Sequence, residues 1–206
     1  MLDLFQRAAV IPVLTIERVE DAVPLARALV RGGLNVLEVT LRTPAAVAAI
    51  TAIAREVADA IVGAGTVLGA EEVGKAAGAG ARFLVSPGLT GTLAEAAKAS
   101  GLPLLPGAVT ASEIMSAREL GFSLLKFFPA AASGGIPVLR SFVPVFQGIA
   151  FCPTGGVTQE NAGDYLALDN VAMVGGSWMV SAEAIRSGDW TGIADRAAKA
   201  SALRGR

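Results

Sequence analysis

Val36-Leu37-Glu38-Val39-Thr40 and Ile61-Val62-Gly63-Ala64-Gly65 are two short apolar runs rich in β-branched residues. Between them, Thr43-Pro44 opens a helical stretch that reaches Val57, with threonine as N-cap and proline at the first helical position. Strand, helix and strand in sequence form the unit of a parallel sheet, because a parallel partner is reached only through a crossover. The same unit recurs outward in both directions. Runs at Val10–Thr15, Phe83–Ser86, Leu104–Gly107, Leu124–Phe127, Ala150–Cys152 and Val171–Val174 bring the strands to eight. Their starts lie roughly 20–27 residues apart, the length of a strand plus a helix. Glu20–Arg31, Thr90–Ser100 and Ala111–Leu120 carry helix patterns that end at or just before Gly32-Gly33, Gly101 and Gly121. Eight alternating units predict an α/β fold in which residues 1–206 are one domain, a single (β/α)8 TIM barrel. An open doubly wound sheet is the alternative.

Composition narrows the chemistry. More than half of the 206 residues are apolar, and alanine and glycine are heavily used, which suits helices packed closely on a buried sheet. Seventeen basic and eighteen acidic residues leave a net charge of −1 with no basic run, so nucleic acid is not an expected partner. Cys152 is the only cysteine and histidine is absent. These absences exclude an intramolecular disulfide, His-based triads, Cys–His pairs and the usual zinc sites. The apolar run from Ala8 to Ile16 is short, holds Pro12 and follows Asp3 and Arg7, unlike a secretory leader. The uncharged stretch from Ser141 to Gln159 is broken by Pro144, Gly148, Pro153, Gly155 and Gly156, unlike a membrane span. The expected compartment is the cytoplasm.

A barrel of this kind keeps its chemistry at the C-terminal ends of its strands and in the loops that follow. Two charged residues stand out there. Lys126 lies within Leu124-Leu125-Lys126-Phe127-Phe128-Pro129, whereas Lys75, Lys98 and Lys199 fall in helical stretches. Period two places Leu124, Lys126 and Phe128 on one face. Burial favours the neutral amine of a lysine, the form that attacks a carbonyl. The competing reading is an edge-strand lysine that snorkels to water. Glu38 shares a face with Val36 and Thr40 in the second strand. Facing Lys126 it would move protons through a water, or else form a structural ion pair. Arg42, just after that strand, is placed either to clamp a substrate carboxylate or to stand solvated on the surface.

The seventh strand ends in Pro153-Thr154-Gly155-Gly156 and the eighth in Gly175-Gly176-Ser177-Trp178. Paired glycines let backbone N–H groups approach an anion, and helix signals begin at Thr158. Loops after strands seven and eight are the recurrent phosphate site of barrels. Plain tight turns are the other reading. Gly65-Thr66-Val67 and Ser86-Pro87-Gly88 close strands three and four, each with a hydroxyl at the rim.

Leu37-Glu38-Val39-Thr40-Leu41-Arg42-Thr43, Gly63-Ala64-Gly65-Thr66-Val67-Leu68, Ser86-Pro87-Gly88, Lys126-Phe127-Phe128-Pro129-Ala130 and the two glycine turns occur in order across almost the whole chain. Together they resemble the 2-keto-3-deoxy-6-phosphogluconate (KDPG) aldolase family, which also cleaves 4-hydroxy-2-oxoglutarate. The resemblance implies a metal-independent class I lyase with no cofactor. It makes Lys126 the Schiff-base lysine and Glu38 the general acid/base. It assigns Arg42 and Thr66 to the pyruvyl carboxylate, Phe128 and Pro87 to the pocket wall, and Thr154 to the substrate hydroxyls. Gly155, Gly156, Gly176 and Ser177 correspond to the phosphate site. The resemblance also implies a small keto-acid phosphate as substrate and a homotrimer. An aldolase for the galactonate epimer, another phosphate-binding barrel enzyme and a non-catalytic sugar-phosphate-binding barrel are the alternatives.

Overall fold

The computed structural model describes residues 8–203. In chain order its elements are β1 (Val10–Leu14), α1 (Val19–Arg31), β2 (Val36–Thr40), α2 (Ala46–Glu56), β3 (Ile61–Gly65), α3 (Ala70–Gly78), β4 (Leu84–Val85), α4 (Gly91–Ser100), β5 (Leu104–Leu105) and α5 (Ala111–Glu119). They continue as β6 (Leu124–Phe127), α6 (Gly135–Phe142), β7 (Ala150–Pro153), α7 (Ala162–Leu166), β8 (Val174–Gly176), α8 (Ala182–Ser187) and α9 (Trp190–Ser201). Every ladder is parallel. The α/β class and the strand–helix alternation thus match the sequence reading.

The ladder divides into two. One six-stranded sheet runs β5-β4-β3-β2-β1-β8, and β6 pairs with β7. Isolated bridges join Gly107 to Lys126, Phe151 to Val171 and Thr154 to Gly175. Lys126 donates its backbone N–H to Pro106 O at 2.8 Å, and Ala108 donates to Lys126 O at 2.9 Å. The division falls beside β5, which Pro103 and Pro106 bracket. Proline has no N–H to offer a ladder, so β5 stays two residues long.

Two expectations shift. The eighth strand is Val174–Gly176 rather than Val171–Val174. Its glycines read as a turn in sequence, yet Gly175 and Gly176 pair with Ile11 and Pro12 of β1. The helix after β2 begins at Ala46, not at Pro44, with Ala45 in the N-cap position. The Thr43 hydroxyl instead donates to Ile16 O at 2.6 Å and ties the β2–α2 turn to the end of β1.

Period two sorts the core into two layers. Leu37, Val39, Val62, Ala64, Leu125 and Phe127 belong to the larger cluster that includes the helices. Within it, α1 buries Leu25 and Leu29 fully. Each such side chain contributes about 1.5–3 kcal/mol, so Leu29→Ala would weaken the α1 seam most directly. Ile11, Val36, Phe83, Val85, Leu105, Leu124, Cys152 and Met173 make a second, separate cluster on the other strand face. Val36 and Leu124 are therefore inward, and so are the residues two positions on, Glu38 and Lys126.

Candidate active site

Above the inner cluster sit the two charges. Lys126 and Glu38 are 4% and 3% exposed, and Lys126 Nζ donates to Glu38 Oε1 at 3.1 Å. Desolvating two ions is costly, and each is tolerated here because the other is present. The Phe128 ring lies 5.2 Å from Nζ and puts its electron-rich face toward the ammonium form. Phe128 joins Pro129 through a cis peptide bond. The snorkelling alternative for Lys126 is ruled out by its burial.

Cys152 is the β7 partner of Lys126 in the ladder. Its thiol is fully enclosed and pushed up to about 12, chiefly by burial, against the smaller opposing influence of the Lys126 charge. It stays a neutral thiol at physiological pH and is 3.9 Å from Thr154 Oγ1. Thr154 is itself 5% exposed and donates to Cys152 O at 3.3 Å. Sequence reasoning treated Cys152 only as an unpaired cysteine; its inward register beside Lys126 was the signal available.

At the rim, Arg42 Nε donates to Thr66 Oγ1 at 2.9 Å. Arg42 is exposed and Thr66 half-buried. Thr66 is the only non-glycine residue with positive φ among those described, at 60°. A β-branched side chain is strained there, and such strain is characteristic of functional rims. Its hydroxyl is thereby aimed at the guanidinium of the exposed Arg42. Ser86 donates to Gly88 O at 2.6 Å, so this hydroxyl shapes the Ser86-Pro87-Gly88 turn. The Pro87 carbonyl sits where a Cβ on Gly107 would be, and Gly107 is bridged to Lys126. The turn after β4 is thus held against the strand that carries the lysine.

Gly155 and Gly156 have φ of 91° and 79°, a conformation that L side chains rarely adopt. A Cβ on Gly155 would lie 3.2 Å from the Phe128 ring, and one on Gly156 would meet Ala131. The helix expected from Thr158 starts only at Ala162, because Thr158 N donates to Asn161 Oδ1 at 2.8 Å and turns the chain first. The Gly175 position is filled from the neighbouring segment by the Thr154 hydroxyl, and Gly176 lies under the Trp178 ring. Ser177 is exposed and lines a cavity of about 420 Å³ with Thr15, Glu17, Arg18 and Ile185.

The structure therefore brings together Lys126, Glu38 and Phe128, pairs Arg42 with Thr66, and links Gly155 to Phe128 and Thr154 to Gly175. Gly65 and Gly107 were not singled out in the sequence. Both lie where another group approaches closely, and for Gly65 that group is the Glu38 carboxyl. Among the described residues no group of three or more Cys, Asp or Glu stands placed to hold a metal ion, and no helix is long and apolar enough to cross a membrane.

Known proteins are similar to this chain over almost its whole length. The family profile "KDPG and KHG aldolase" matches residues 2–196. The "KHG/KDPG aldolase" of Escherichia coli K12 is 50% identical over 191 residues, 93% of this chain and 90% of the relative. The "2-dehydro-3-deoxy-phosphogluconate aldolase" of Pseudoalteromonas atlantica is 48% identical over 198 residues, 96% and 92% of the two chains. Among solved structures, a KDPG aldolase from Legionella pneumophila superimposes with a TM-score of 0.94 at 46% identity, over 97% of each chain. That crystal holds pyruvate captured at low pH as a covalent carbinolamine intermediate. The chain belongs to the KDPG and KHG aldolase family.

Proposed function

We propose that this chain is a class I aldolase that reversibly cleaves 2-keto-3-deoxy-6-phosphogluconate to pyruvate and glyceraldehyde 3-phosphate through a Schiff base on Lys126. By the same chemistry it cleaves 4-hydroxy-2-oxoglutarate to pyruvate and glyoxylate. The observation that carries this reading is the buried 3.1 Å contact between Lys126 Nζ and Glu38 Oε1. An amine that excludes water and touches a carboxylate has both a nucleophile and a proton acceptor in reach.

Lys126 yields a proton to Glu38, and the neutral amine adds to the C2 ketone, giving a carbinolamine. Glu38 returns that proton as water leaves, giving an iminium whose nitrogen draws electrons from the C3–C4 bond. Glu38 takes the C4 hydroxyl proton, that bond breaks, and the phosphorylated aldehyde departs. The remaining enamine takes a proton at C3. Water then adds to the iminium and returns pyruvate and the free amine. The protonated imine is the electron sink, so the sequence of steps needs no metal and no cofactor. Arg42, oriented by Thr66, holds the carboxylate, and its planar fork suits a bidentate contact. Phe128 and Pro87 form the pocket wall, and Thr154 meets the substrate hydroxyls. Gly155, Gly156, Gly176 and Ser177 receive the phosphate, whose distant anchoring orients the reacting carbons.

The chain acts in the cytoplasm as one domain that assembles into a homotrimer. Its two sheets form one closed (β/α)8 barrel. The bridges from Gly107 to Lys126 and from Thr154 to Gly175 support that closure. So does an inner cluster drawn from both sheets.

Borohydride reduction in the presence of pyruvate is expected to leave a covalent adduct on Lys126 alone. An unmodified Lys126, or full activity after EDTA failing to persist, would overturn the Schiff-base route. Cleavage rates on the gluconate and galactonate phosphates, measured side by side, separate the proposed substrate from its epimer. Binding of either without cleavage would mark a non-catalytic barrel.

A further inference from the structure

We infer that Gly65 is a positioning residue for the reaction, its missing side chain being the space in which the Glu38 carboxyl group sits. This rests on the reading of Glu38 as the proton-transfer group.

The geometry is specific. In the β2–β3 ladder, Glu38 pairs with Gly63 and Thr40 with Gly65. The Glu38 side chain leans along its strand and comes to rest over Gly65, two residues further on. A Cβ built on Gly65 would clash with Glu38 Oε1 and fall 2.6 Å from its Cγ and 2.7 Å from its Cδ. All three atoms belong to the end of the side chain that reaches Lys126 Nζ. Glu38 is 3% exposed, so its carboxyl group has no open solvent to retreat into.

The backbone of Gly65 makes no demand for glycine. It is a regular strand residue and is not among the glycines of positive φ. An alanine fits the strand and restricts the unfolded chain more than glycine does. What a side chain there would displace is the carboxylate. Gly63, on the same strand face, gives the contrast. A Cβ there would lie 2.5 Å from three atoms of the Phe83 ring, in the inner cluster. One strand thus carries two inward glycines, one making room for packing and the other for a reactive group.

Gly65→Ala therefore moves the Glu38 carboxylate away from Lys126 while leaving the lysine in place. Three readouts test this on the full chain. Borohydride trapping with saturating pyruvate should still label Lys126 at its endpoint. Exchange of the pyruvate methyl protons with D₂O, which needs a base at C3 of the iminium, should fall at least about 100-fold, as should cleavage turnover. A double-mutant cycle with Glu38→Ala then isolates the cause. Once the glutamate is shortened, Gly65→Ala should leave the residual rate unchanged and should not lower the unfolding midpoint.

Full turnover in Gly65→Ala would overturn the inference. So would an equal loss from Gly65→Ala in the wild-type and Glu38→Ala backgrounds. If Gly65→Ala alone does not fold, the Gly65→Ala/Glu38→Ala variant is expected to fold like Glu38→Ala, and its failure to do so would also overturn the inference. The role of Glu38 itself is read separately. Undiminished methyl exchange in Glu38→Gln would refute that role while leaving the steric result of the cycle intact.

Discussion

Two lysine–glutamate pairs in this chain sit in opposite surroundings. On α3, Lys75 Nζ lies 2.6 Å from Glu71 Oε1, with side chains 51% and 75% exposed. Across the strands, Lys126 Nζ lies 3.1 Å from Glu38 Oε1, with side chains 5% and 4% exposed. The closer pair is the one that water screens. Glu71 raises the pKa of Lys75, first by hydrogen bonding and then by its charge, and Lys75 lowers that of Glu71 in the same way. Water and salt screen that attraction, and two mobile side chains lose freedom to make it. The buried pair has no such screening and no water to replace a lost partner. Distance alone says little about an ion pair until its surroundings are known.

The largest effect expected from this contrast is that of removing one member of the buried pair. Lys126→Met should abolish cleavage and cost about 3–5 kcal/mol in urea unfolding, because Glu38 is left uncompensated. Adding Glu38→Leu should return most of that stability and none of the activity. An unchanged urea midpoint in the single variant would place the buried pair in the same class as the surface one.

Thr66→Gly sharpens the comparison at the rim, where the strained threonine meets Arg42. Releasing the positive φ should raise stability by about 1 kcal/mol, while loss of the hydroxyl should weaken pyruvate binding about tenfold. A fall in both would mean that the backbone there is not strained.

Cys152 senses the same enclosed surroundings as Lys126. Its folded-state pKa is raised from 9.0 to about 12, so between those values the unfolded chain has lost a proton that the folded chain still holds. Stability from this group is complete below pH 9 and declines as pH rises through that window, by no more than about 1.4 kcal/mol per pH unit. Urea midpoints at pH 8 and pH 10.5 should converge between wild type and Cys152→Ser. A constant difference would show that the thiol is not held neutral by burial. The smallest effect belongs to the surface. Lys75→Ala should leave turnover unchanged and lower the melting temperature only slightly, less at high salt than at low.

Much of this was legible in the residues. Val36 to Thr40 and Leu124 to Phe127 read correctly as strands because a short, nearly continuous apolar run is the pattern that burial on two faces requires. Period two grouped Glu38 with Val36 and Lys126 with Leu124, and left open whether those faces were the interior or the helix side. What it could not give was the meeting of those faces, which depends on how the whole sheet curls. Glycine was the other limit. Gly175 and Gly176 read as a turn and are a strand, because a residue with no side chain carries no burial pattern. Gly65 was passed over for the same reason, and its role appears only once the Glu38 side chain is seen in the space beside it. Thr43 was misread because a hydroxyl before a proline suits a helix cap as well as it suits the bond it makes to Ile16.

The contact between Lys126 and Glu38 also has a consequence in time. These two residues are 88 positions apart in the chain. No single hairpin, helix pair or βα unit contains both, so no locally ordered fragment holds the buried pair. Contacts of such long sequence separation are slow to close, since the loop entropy is lost before the contact forms. Recovery of aldol cleavage during refolding would therefore trail the recovery of helical signal, and would clock the moment at which β2 and β6 come to face each other.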